Sequence, residues 1–305
     1  MKQPLRLPYA RPGGPDRELS WAQRQLAQQG HGDVVEKVQI RTWNLSSIWK
    51  LKTNSETYWL KSIPPFFAHE GRVLELFAGE SVPEVVACDT KRMLLRHLDG
   101  EDCYDAGLEQ MLHMIDKLVD LQWRWRNRLH ELSEAGVPEV RSDILALRIS
   151  SVINQHLQNV QEKYQVKLKR FADTLPARLT DLDECGIPAT LVHGDYHPGN
   201  WRGTGTNLSI MDWGDCCIGH PLLDIPALIV RAGEHAEALV LHWQRAWQKR
   251  LPEADVASAI ELVMPIAHAR MAVVFQRFLD NIEPSEQIFH DTDPVIALEK
   301  TGKVL

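Results

Sequence analysis

The side chains best suited to chemistry lie between positions 191 and 215, in the stretch LVHGDYHPGNWRGTGTNLSIMDWGD. Asp195 precedes Asn200 by five positions, and Asp212 ends a short apolar run further along. Transfer of a phosphoryl group needs a carboxylate near the attacking hydroxyl and oxygen ligands that hold Mg²⁺ against the phosphates. These three residues supply a carboxylate, an amide oxygen five positions later and a second carboxylate at the end of the next strand-like segment. We therefore interpret Asp195 as the base and Asn200 and Asp212 as metal ligands.

Two other interpretations of this stretch remain open at this point. Gly194 and Pro198 are turn residues, so the polar side chains would simply occupy turns. Alternatively, a strand would point His193, Asp195 and His197 to one face, where they would suit zinc or iron. Pro198 breaks such a strand at once, and no other His-rich segment supplies further ligands.

A phosphate-binding Lys and a Glu that positions it should precede this stretch. Lys61 ends the third strand-like segment, whereas Lys50 and Lys52 lie on the second, where exposure to solvent explains them. In the helical segment that follows, Glu70 falls on the apolar stripe and Glu75 on the other face. A buried carboxylate is unfavourable unless it is paired, so we predict an ion pair between Lys61 and Glu70.

The loop before the second strand-like segment, RTWNLSSIW, contains no glycine. A glycine-rich loop lets backbone amides approach phosphates closely. Here we expect Asn44, Ser46 and Ser47 to supply side-chain or backbone donors instead, and the sequence leaves open how they contact the phosphates.

The segments that must position these residues change character along the chain. The part before residue 99 is rich in β-branched and aromatic residues, with a hairpin predicted around KTNSET and one helix, FFAHEGRVLELFAG. Beyond it, long segments such as ILALRISSVINQHLQNVQEKY have apolar residues at helical spacing. Two short strands, ATLVH and LSIMD, interrupt these helices as a hairpin that carries the polar cluster.

This pattern predicts an α+β fold with two lobes. The smaller, β-rich lobe spans residues 1–98 and binds the nucleotide, with an irregular arm and a helix in residues 1–33. The larger, mostly helical lobe spans residues 99–305 and carries the catalytic loop and the acceptor site.

The motifs HGDYHPGNW, MDWGD and HPLLDI together resemble the aminoglycoside phosphotransferase family, also called the small-molecule phosphotransferase enzyme family. The resemblance covers residues 34–280 approximately. It implies a bilobal, protein-kinase-like fold and a kinase that uses ATP or GTP with Mg²⁺. It also implies that His193 braces the loop, unless it is only a structural histidine, and that a buried Asp224 supports the loop. Asp215 would contact substrate or cap a turn.

Composition narrows the partners. The chain has 305 residues, a net charge of −7 and no basic block, which argues against nucleic acid. Its five cysteines form no C-x-x-C pair, so we expect reduced thiols in a cytoplasmic protein. The N-terminus lacks a signal-peptide core, and no run of 18 apolar residues predicts a membrane span.

The acceptor is the least defined part of the prediction. The segment FLDNIEPSEQIFHDTD carries five acids and no Lys or Arg. If it lines the acceptor site, it would suit a polycationic sugar such as an aminoglycoside; otherwise it is a solvated acidic segment. An amino alcohol, a sugar or another hydroxylated antibiotic is an alternative acceptor, and a catalytically inactive nucleotide-binding module is an alternative function. The oligomeric state is not defined by the sequence.

Overall fold

The computed structural model describes residues 5–305; residues 1–4, which belong to the predicted N-terminal arm, lie outside the described residues. In the described part, the strands are β1 (Glu36–Thr42), β2 (Ser47–Lys52), β3 (Thr57–Ser62), β4 (Val85–Asp89), β5 (Arg92–Arg96), β6 (Glu101–Asp102), β7 (Thr190–Val192), β8 (Trp201–Thr204), β9 (Asn207–Ile210) and β10 (Cys217–Gly219). The α-helices are α1 (Gly14–Gln28), α2 (Glu70–Leu76), α3 (Leu108–Trp125), α4 (Leu129–Glu134), α5 (Ser142–His156), α6 (Glu162–Glu184), α7 (Ile225–Ile229), α8 (Ala236–Arg250), α9 (Val256–Asn281) and α10 (Asp293–Val304).

The chain packs into two compact units, each made from separate pieces of sequence. The first unit runs to Asp102 and also contains Trp201–Gly214 and Asn281–Gln287, and the second contains the rest of the chain. The predicted α+β class is confirmed, because a sheet dominates the N-terminal part and helices dominate the C-terminal part. The division at residue 98 stays a prediction, since later segments also pack with the first unit.

The main sheet of the first unit is antiparallel, with strand order β1-β2-β3-β5-β4. The predicted hairpin is confirmed as β2 and β3, which pair from Ser47 opposite Ser62 to Lys52 opposite Thr57. Helix α1 covers one face of this sheet through a cluster of buried side chains: Trp21, Ala22, Leu26, Leu51, Tyr58, Leu60 and Leu94. Because side chains alternate along a strand, Lys61 lies on the face opposite this core.

The predicted helix at 66–79 is shorter than expected. A 3₁₀ turn, Pro65–Phe67, comes first, and α2 begins only at Glu70. Ala68 and His69 form a turn between the two elements, so the helical pattern does not become an α-helix until Glu70. Glu70 therefore lies in the first helical turn, where the helix dipole also favours a negative charge.

The polar cluster is not carried by a hairpin of the two predicted strands, and this expectation was wrong. Strand β7 pairs with β10, whereas β9 pairs with β8. The two-residue turn between Thr204 and Asn207 contains Gly205 with φ of +55°, a conformation that favours glycine and closes tight hairpins.

Two features of the second unit differ from simple expectation. The helical run from residue 144 is two helices, α5 and α6, because Val160 and Gln161 between them have extended or non-helical backbone. Among the described helices, α9 is long and apolar enough to cross a membrane, but 61% of its apolar window is buried inside the protein. Burial of that kind is typical of a core helix.

Candidate active site

Lys61 lies at the centre of a cluster of charges in the first unit. Its Nζ atom is 2.6 Å from Glu70 Oε1 and 2.8 Å from Asp212 Oδ1. Glu70 is buried, as its position on the apolar stripe requires if it is paired. Burial alone would lower the pKa of Lys61, but the two carboxylates hold the pKa above its ordinary value, so the ammonium stays charged.

Asp212 is held in an unusual backbone conformation. Its φ is +61°, and it is the one non-glycine residue with positive φ among residues 5–305. The next residue, Trp213, is fully buried, and its ring contacts Phe77 edge to face at a centroid distance of 4.9 Å. A side chain at Gly214 would meet the ring of Phe67 at 3.0 Å. These apolar contacts fix the chain around Asp212 and leave its carboxylate 54% exposed beside Lys61, an arrangement typical of functional sites.

We expect Lys61 and Glu70 to act as a unit in nucleotide binding. Glu70→Ala should weaken nucleotide affinity about as much as Lys61→Ala, and the double variant should be little worse than either. Residues in direct contact show coupling energies of about 0.5–3 kcal/mol. Calorimetric titration of the three variants with Mg²⁺–nucleotide measures this coupling. Glu75→Ala is the matched control, because Glu75 is exposed and contacts Arg72 of its own helix; additive losses would contradict the pairing.

The loop that carries Asp195 in the second unit follows β7 and ends in a 3₁₀ turn, Pro198–Asn200. Gly194 has φ of +91°, and a Cβ there would lie 2.1 Å from the carbonyl oxygen of Asp215, so only glycine fits. Tyr196 is fully buried and contacts the ring of Trp243. The Asn200 amide nitrogen donates to the Asp195 carbonyl at 2.8 Å and to its carboxylate at 3.2 Å. If Asn200 binds a cation, it does so through its amide oxygen, since the nitrogen is the donor in both bonds.

Asp224 binds the backbone at the start of this loop. It is buried, and its two oxygens accept the backbone N–H groups of His193 at 2.9 Å and Gly194 at 2.8 Å. The Gln122 side chain donates a third hydrogen bond at 3.0 Å. Burial raises the pKa of Asp224, while the charge of His193 and the backbone donors oppose that rise. The supporting position predicted for Asp224 is present as geometry, and His193 is itself fully buried, with its Nδ1 accepting the Asp195 N–H at 3.3 Å.

Sequence reasoning missed two arginines of α9. Arg270 is buried and donates to the carbonyl oxygens of Gly194 at 3.3 Å and Asp215 at 3.2 Å. Arg277 binds the Asp215 carboxylate at 2.7 Å. Asp215 is thereby engaged in an ion pair of its own unit. The available signal was two charges, seven positions apart, on one face of an apolar helix.

The hydrogen bonds of His197, also in this loop, indicate its tautomer. Its Nδ1 accepts the Gly199 backbone N–H at 3.0 Å, so the neutral ring carries its proton on Nε2. That Nε2 atom lies 3.4 Å from Asp195 Oδ2. Burial by itself would raise the pKa of Asp195, but the hydrogen bond that His197 donates, together with His193 and Asn200, lowers it below its ordinary value. Asp195 is thus kept ionised, which its predicted role as a base requires.

Loss of the His197 donor should reduce turnover modestly. We expect His197→Leu to lower kcat by about 3- to 10-fold, the range for one hydrogen bond of roughly 0.5–1.5 kcal/mol. His197→Gln retains an N–H donor and should keep more of the activity. Steady-state kinetics of both variants make the comparison, and equal kcat values for His197→Leu and the wild type would exclude this role.

Ser46 in the β1–β2 loop and Ser47 at the start of β2 are buried, and both hydroxyls already make hydrogen bonds. Ser46 Oγ accepts the Trp43 indole N–H at 3.0 Å, and Ser47 Oγ lies 2.8 Å from the Thr42 hydroxyl. In the first of these contacts Ser46 accepts, whereas either hydroxyl could donate in the second, so donation to a phosphate by Ser46 or Ser47 stays a prediction.

The donor chemistry fits Mg²⁺ better than zinc or iron. No group of three or more His, Cys, Asp or Glu side chains in the described part of the chain could hold a metal by itself. His193 is buried with its Nδ1 accepting a backbone N–H, so it does not join Asp195 and His197 on one open face. The carboxylate of Asp212 and the amide oxygen of Asn200 are oxygen donors of the kind that Mg²⁺ uses together with waters and phosphates.

The structure therefore assembles the predicted site residues in two sets. Lys61, Glu70 and Asp212 contact one another in the first unit. Asp195, Asn200, His193 and Asp224 form one hydrogen-bonded loop in the second. Their roles in binding and catalysis stay predictions.

Comparison with known proteins identifies the fold. A model of the family described as the phosphotransferase enzyme family matches residues 37–270. The GDP complex of wild-type aminoglycoside 2'-phosphotransferase-IIIa is 14% identical, with a TM-score of 0.65 over 94% of this chain and 98% of that one. Macrolide 2'-phosphotransferase type I is 16% identical, with a TM-score of 0.61 over 85% and 91% of the two chains.

An ethanolamine kinase of Plasmodium vivax is also similar, with 16% identity and a TM-score of 0.59 over 87% of this chain and 80% of that one. No curated protein sequence matches the chain. The predicted kinase-like fold is confirmed by these structural likenesses.

Proposed function

The chain belongs to the phosphotransferase enzyme family, and on that premise we propose that it transfers the γ-phosphoryl group of ATP or GTP to a hydroxyl group of a small molecule. The observation that carries this proposal is the charge cluster of Lys61, with Glu70 at 2.6 Å and Asp212 at 2.8 Å. A largely buried ammonium held by two carboxylates, one of them half exposed, is suited to phosphates and their counter-cation. In this proposal Lys61 binds the phosphates and Glu70 positions it.

Asp195 is the proposed base. It accepts the proton of the acceptor hydroxyl, or orients that hydroxyl, while the oxygen attacks the γ-phosphorus and the bond to the leaving nucleoside diphosphate breaks. His197 and Asn200 keep its carboxylate ionised and oriented. We assign Mg²⁺ to Asn200 and Asp212; when bound, the cation neutralises the charge that develops on the phosphate oxygens.

The acceptor class is proposed only as a hydroxylated small molecule, with an aminoglycoside as one candidate. Similar structures are named for aminoglycosides, a macrolide and ethanolamine, so the fold does not select among them. In the acidic segment at 278–293, Glu283 pairs with Arg6, Asp293 with His290, and Asp280 accepts from Gln276. The Arg6 guanidinium offsets the charge of Glu283, one of the five acids, so amino alcohols and neutral sugars stay alternatives to a polycationic sugar.

We further propose a cytoplasmic location, where ATP, GTP and Mg²⁺ are present and thiols stay reduced. The cysteines of the described residues are all free thiols: Cys88, Cys103, Cys185, Cys216 and Cys217.

A thermal-shift screen tests the proposal. A ligand that binds the native state at 100 times its Kd stabilises it by about 2.7 kcal/mol. ATP or GTP with Mg²⁺ should raise Tm, and the true acceptor should raise it further from a panel of aminoglycosides, macrolides, amino alcohols and sugars. No shift with either nucleotide in the presence of Mg²⁺ would contradict the proposed function.

A further inference from the structure

The glycine-free loop between β1 and β2, residues 43–46, is unusually well buried for a surface connection. Asn44, Leu45 and Ser46 are only 7%, 8% and 5% exposed, whereas loops normally lie on the surface. The loop is a tight turn, since the Trp43 backbone N–H donates to the Ser46 carbonyl at 2.9 Å and the Trp43 indole N–H donates to the Ser46 hydroxyl at 3.0 Å. Side chains, rather than glycine, define its shape.

The loop lies at the end of the sheet that carries the phosphate-binding Lys. In the β2–β3 pairing, Ser47 stands opposite Ser62 and Ile48 stands opposite Lys61. Ser47 also receives the Trp49 indole N–H at 3.2 Å. Lys61 is therefore level with Ile48, two residues beyond the end of the turn at Ser46, and a phosphate bound by Lys61 would lie close to the turn.

The N-terminal arm, residues 5–13, contacts the turn directly. Tyr9 is 3% exposed, and its hydroxyl donates to the Trp43 carbonyl oxygen at 3.1 Å. The arm folds back against the start of α1 at Gly14, where a Cβ would lie 2.3 Å from the Pro8 carbonyl oxygen. A phenol in the arm thus takes one of the backbone acceptors of the loop.

A second contact anchors the same arm. The Arg6 guanidinium binds Glu283 through two nitrogens, at 2.9 Å and 3.0 Å from the same carboxylate oxygen. Glu283 lies in Asn281–Gln287, the late segment that packs with the first unit. Arg6 and Glu283, which are 277 positions apart, therefore anchor one part of the arm. Tyr9, further along the arm, binds the β1–β2 loop.

We propose that the N-terminal arm is a positioning element of the nucleotide site, in which Tyr9 and the Arg6–Glu283 ion pair hold the β1–β2 loop in the shape that receives the nucleotide phosphates. This inference rests on the proposed phosphotransfer function. A glycine-rich loop adapts to phosphates through its backbone; a loop without glycine gains affinity instead from being held in its binding conformation beforehand.

Tyr9→Phe removes only the hydroxyl and tests the loop contact. Mg²⁺–nucleoside diphosphate should bind about 3- to 10-fold more weakly, since one hydrogen bond is worth roughly 0.5–1.5 kcal/mol. The corresponding nucleoside, which has no phosphates, should bind as it does to the wild type. In kinetics the KM for the nucleotide should rise while kcat at saturating nucleotide stays unchanged. Equal loss for nucleoside and diphosphate, or no loss for either, would overturn the inference.

The ion pair is tested by exchanging its charges in the full chain. Arg6→Glu and Glu283→Arg should each raise the nucleotide KM by about 3-fold or more, and the double exchange should restore it, because the attraction returns with opposite polarity. Arg24→Glu is the matched control, as it makes the same charge change at an exposed position of α1. A double exchange no better than the single variants, with Tm values close to that of the wild type, would overturn the role of the arm. If the wild type binds neither ATP nor GTP with Mg²⁺, the proposed function itself fails, and that outcome is separate from any effect of the arm.

Discussion

Asp195→Asn should abolish most phosphotransfer while leaving the protein folded and able to bind Mg²⁺–nucleotide. The substitution keeps the shape of the side chain but removes the ionised oxygen that accepts or orients the acceptor proton. General acid–base groups contribute about 10²- to 10⁴-fold, so kcat should fall by at least about 10²-fold. Steady-state kinetics with the true acceptor, together with calorimetric titration of the nucleotide, measure both halves of this expectation.

Asp173→Asn provides the control for that experiment. Asp173 is exposed on α6 and belongs to the same unit, so its replacement makes the same charge change on a helix outside the loop that carries Asp195. The control should retain wild-type kcat. A kcat for Asp195→Asn within a few-fold of the wild-type value would contradict the assignment of Asp195 as the base.

Asp212→Asn should have the second large effect, through the metal. Asparagine tolerates the left-handed backbone of Asp212 better than most residues, so the variant isolates the loss of charge from backbone strain. The Mg²⁺-dependent part of nucleotide binding should be sharply reduced. Turnover should fall by about 10²-fold or more, the usual scale for a removed electrostatic stabiliser at a reacting group.

The decisive comparison is nucleotide affinity with and without Mg²⁺. The wild type should bind more tightly when Mg²⁺ is added, and Asp212→Asn should lose most of that gain. Unchanged affinity of the variant for Mg²⁺–nucleotide would remove the main support for the metal assignment.

Local spacing carried much of the site prediction. Lys61 was chosen because it ends the third strand-like segment, and helical spacing placed Glu70 rather than Glu75 on the apolar stripe; in the structure Lys61 Nζ lies 2.6 Å from Glu70 Oε1. The same reasoning erred on α2, because it extended the helical pattern back through a proline-initiated 3₁₀ turn, Pro65–Phe67. The error did not move Glu70, since its position depends on the residues that follow it.

The sequence patterns did not predict contacts between residues far apart in the chain. Strand β7 pairs with β10 rather than with β9, and no local pattern specifies which of several short strands pair. Arg270 of α9 donates to the carbonyl oxygen of Gly194, 76 residues earlier. Tyr9 donates to the carbonyl oxygen of Trp43, from which α1 separates it in the sequence. Such partners are chosen by packing, and a buried charge or phenol in the sequence indicates only that a partner must exist.

The central claim is tested most directly by ³¹P nuclear magnetic resonance of the wild-type protein with Mg²⁺, ATP or GTP, and the acceptor selected by the thermal-shift screen. We predict a new phosphomonoester resonance that grows together with the nucleoside diphosphate, and that is absent when Mg²⁺ is removed or when Asp195→Asn replaces the wild type. Release of inorganic phosphate without an ester, or no consumption of either nucleotide, would contradict phosphotransfer to a small-molecule hydroxyl.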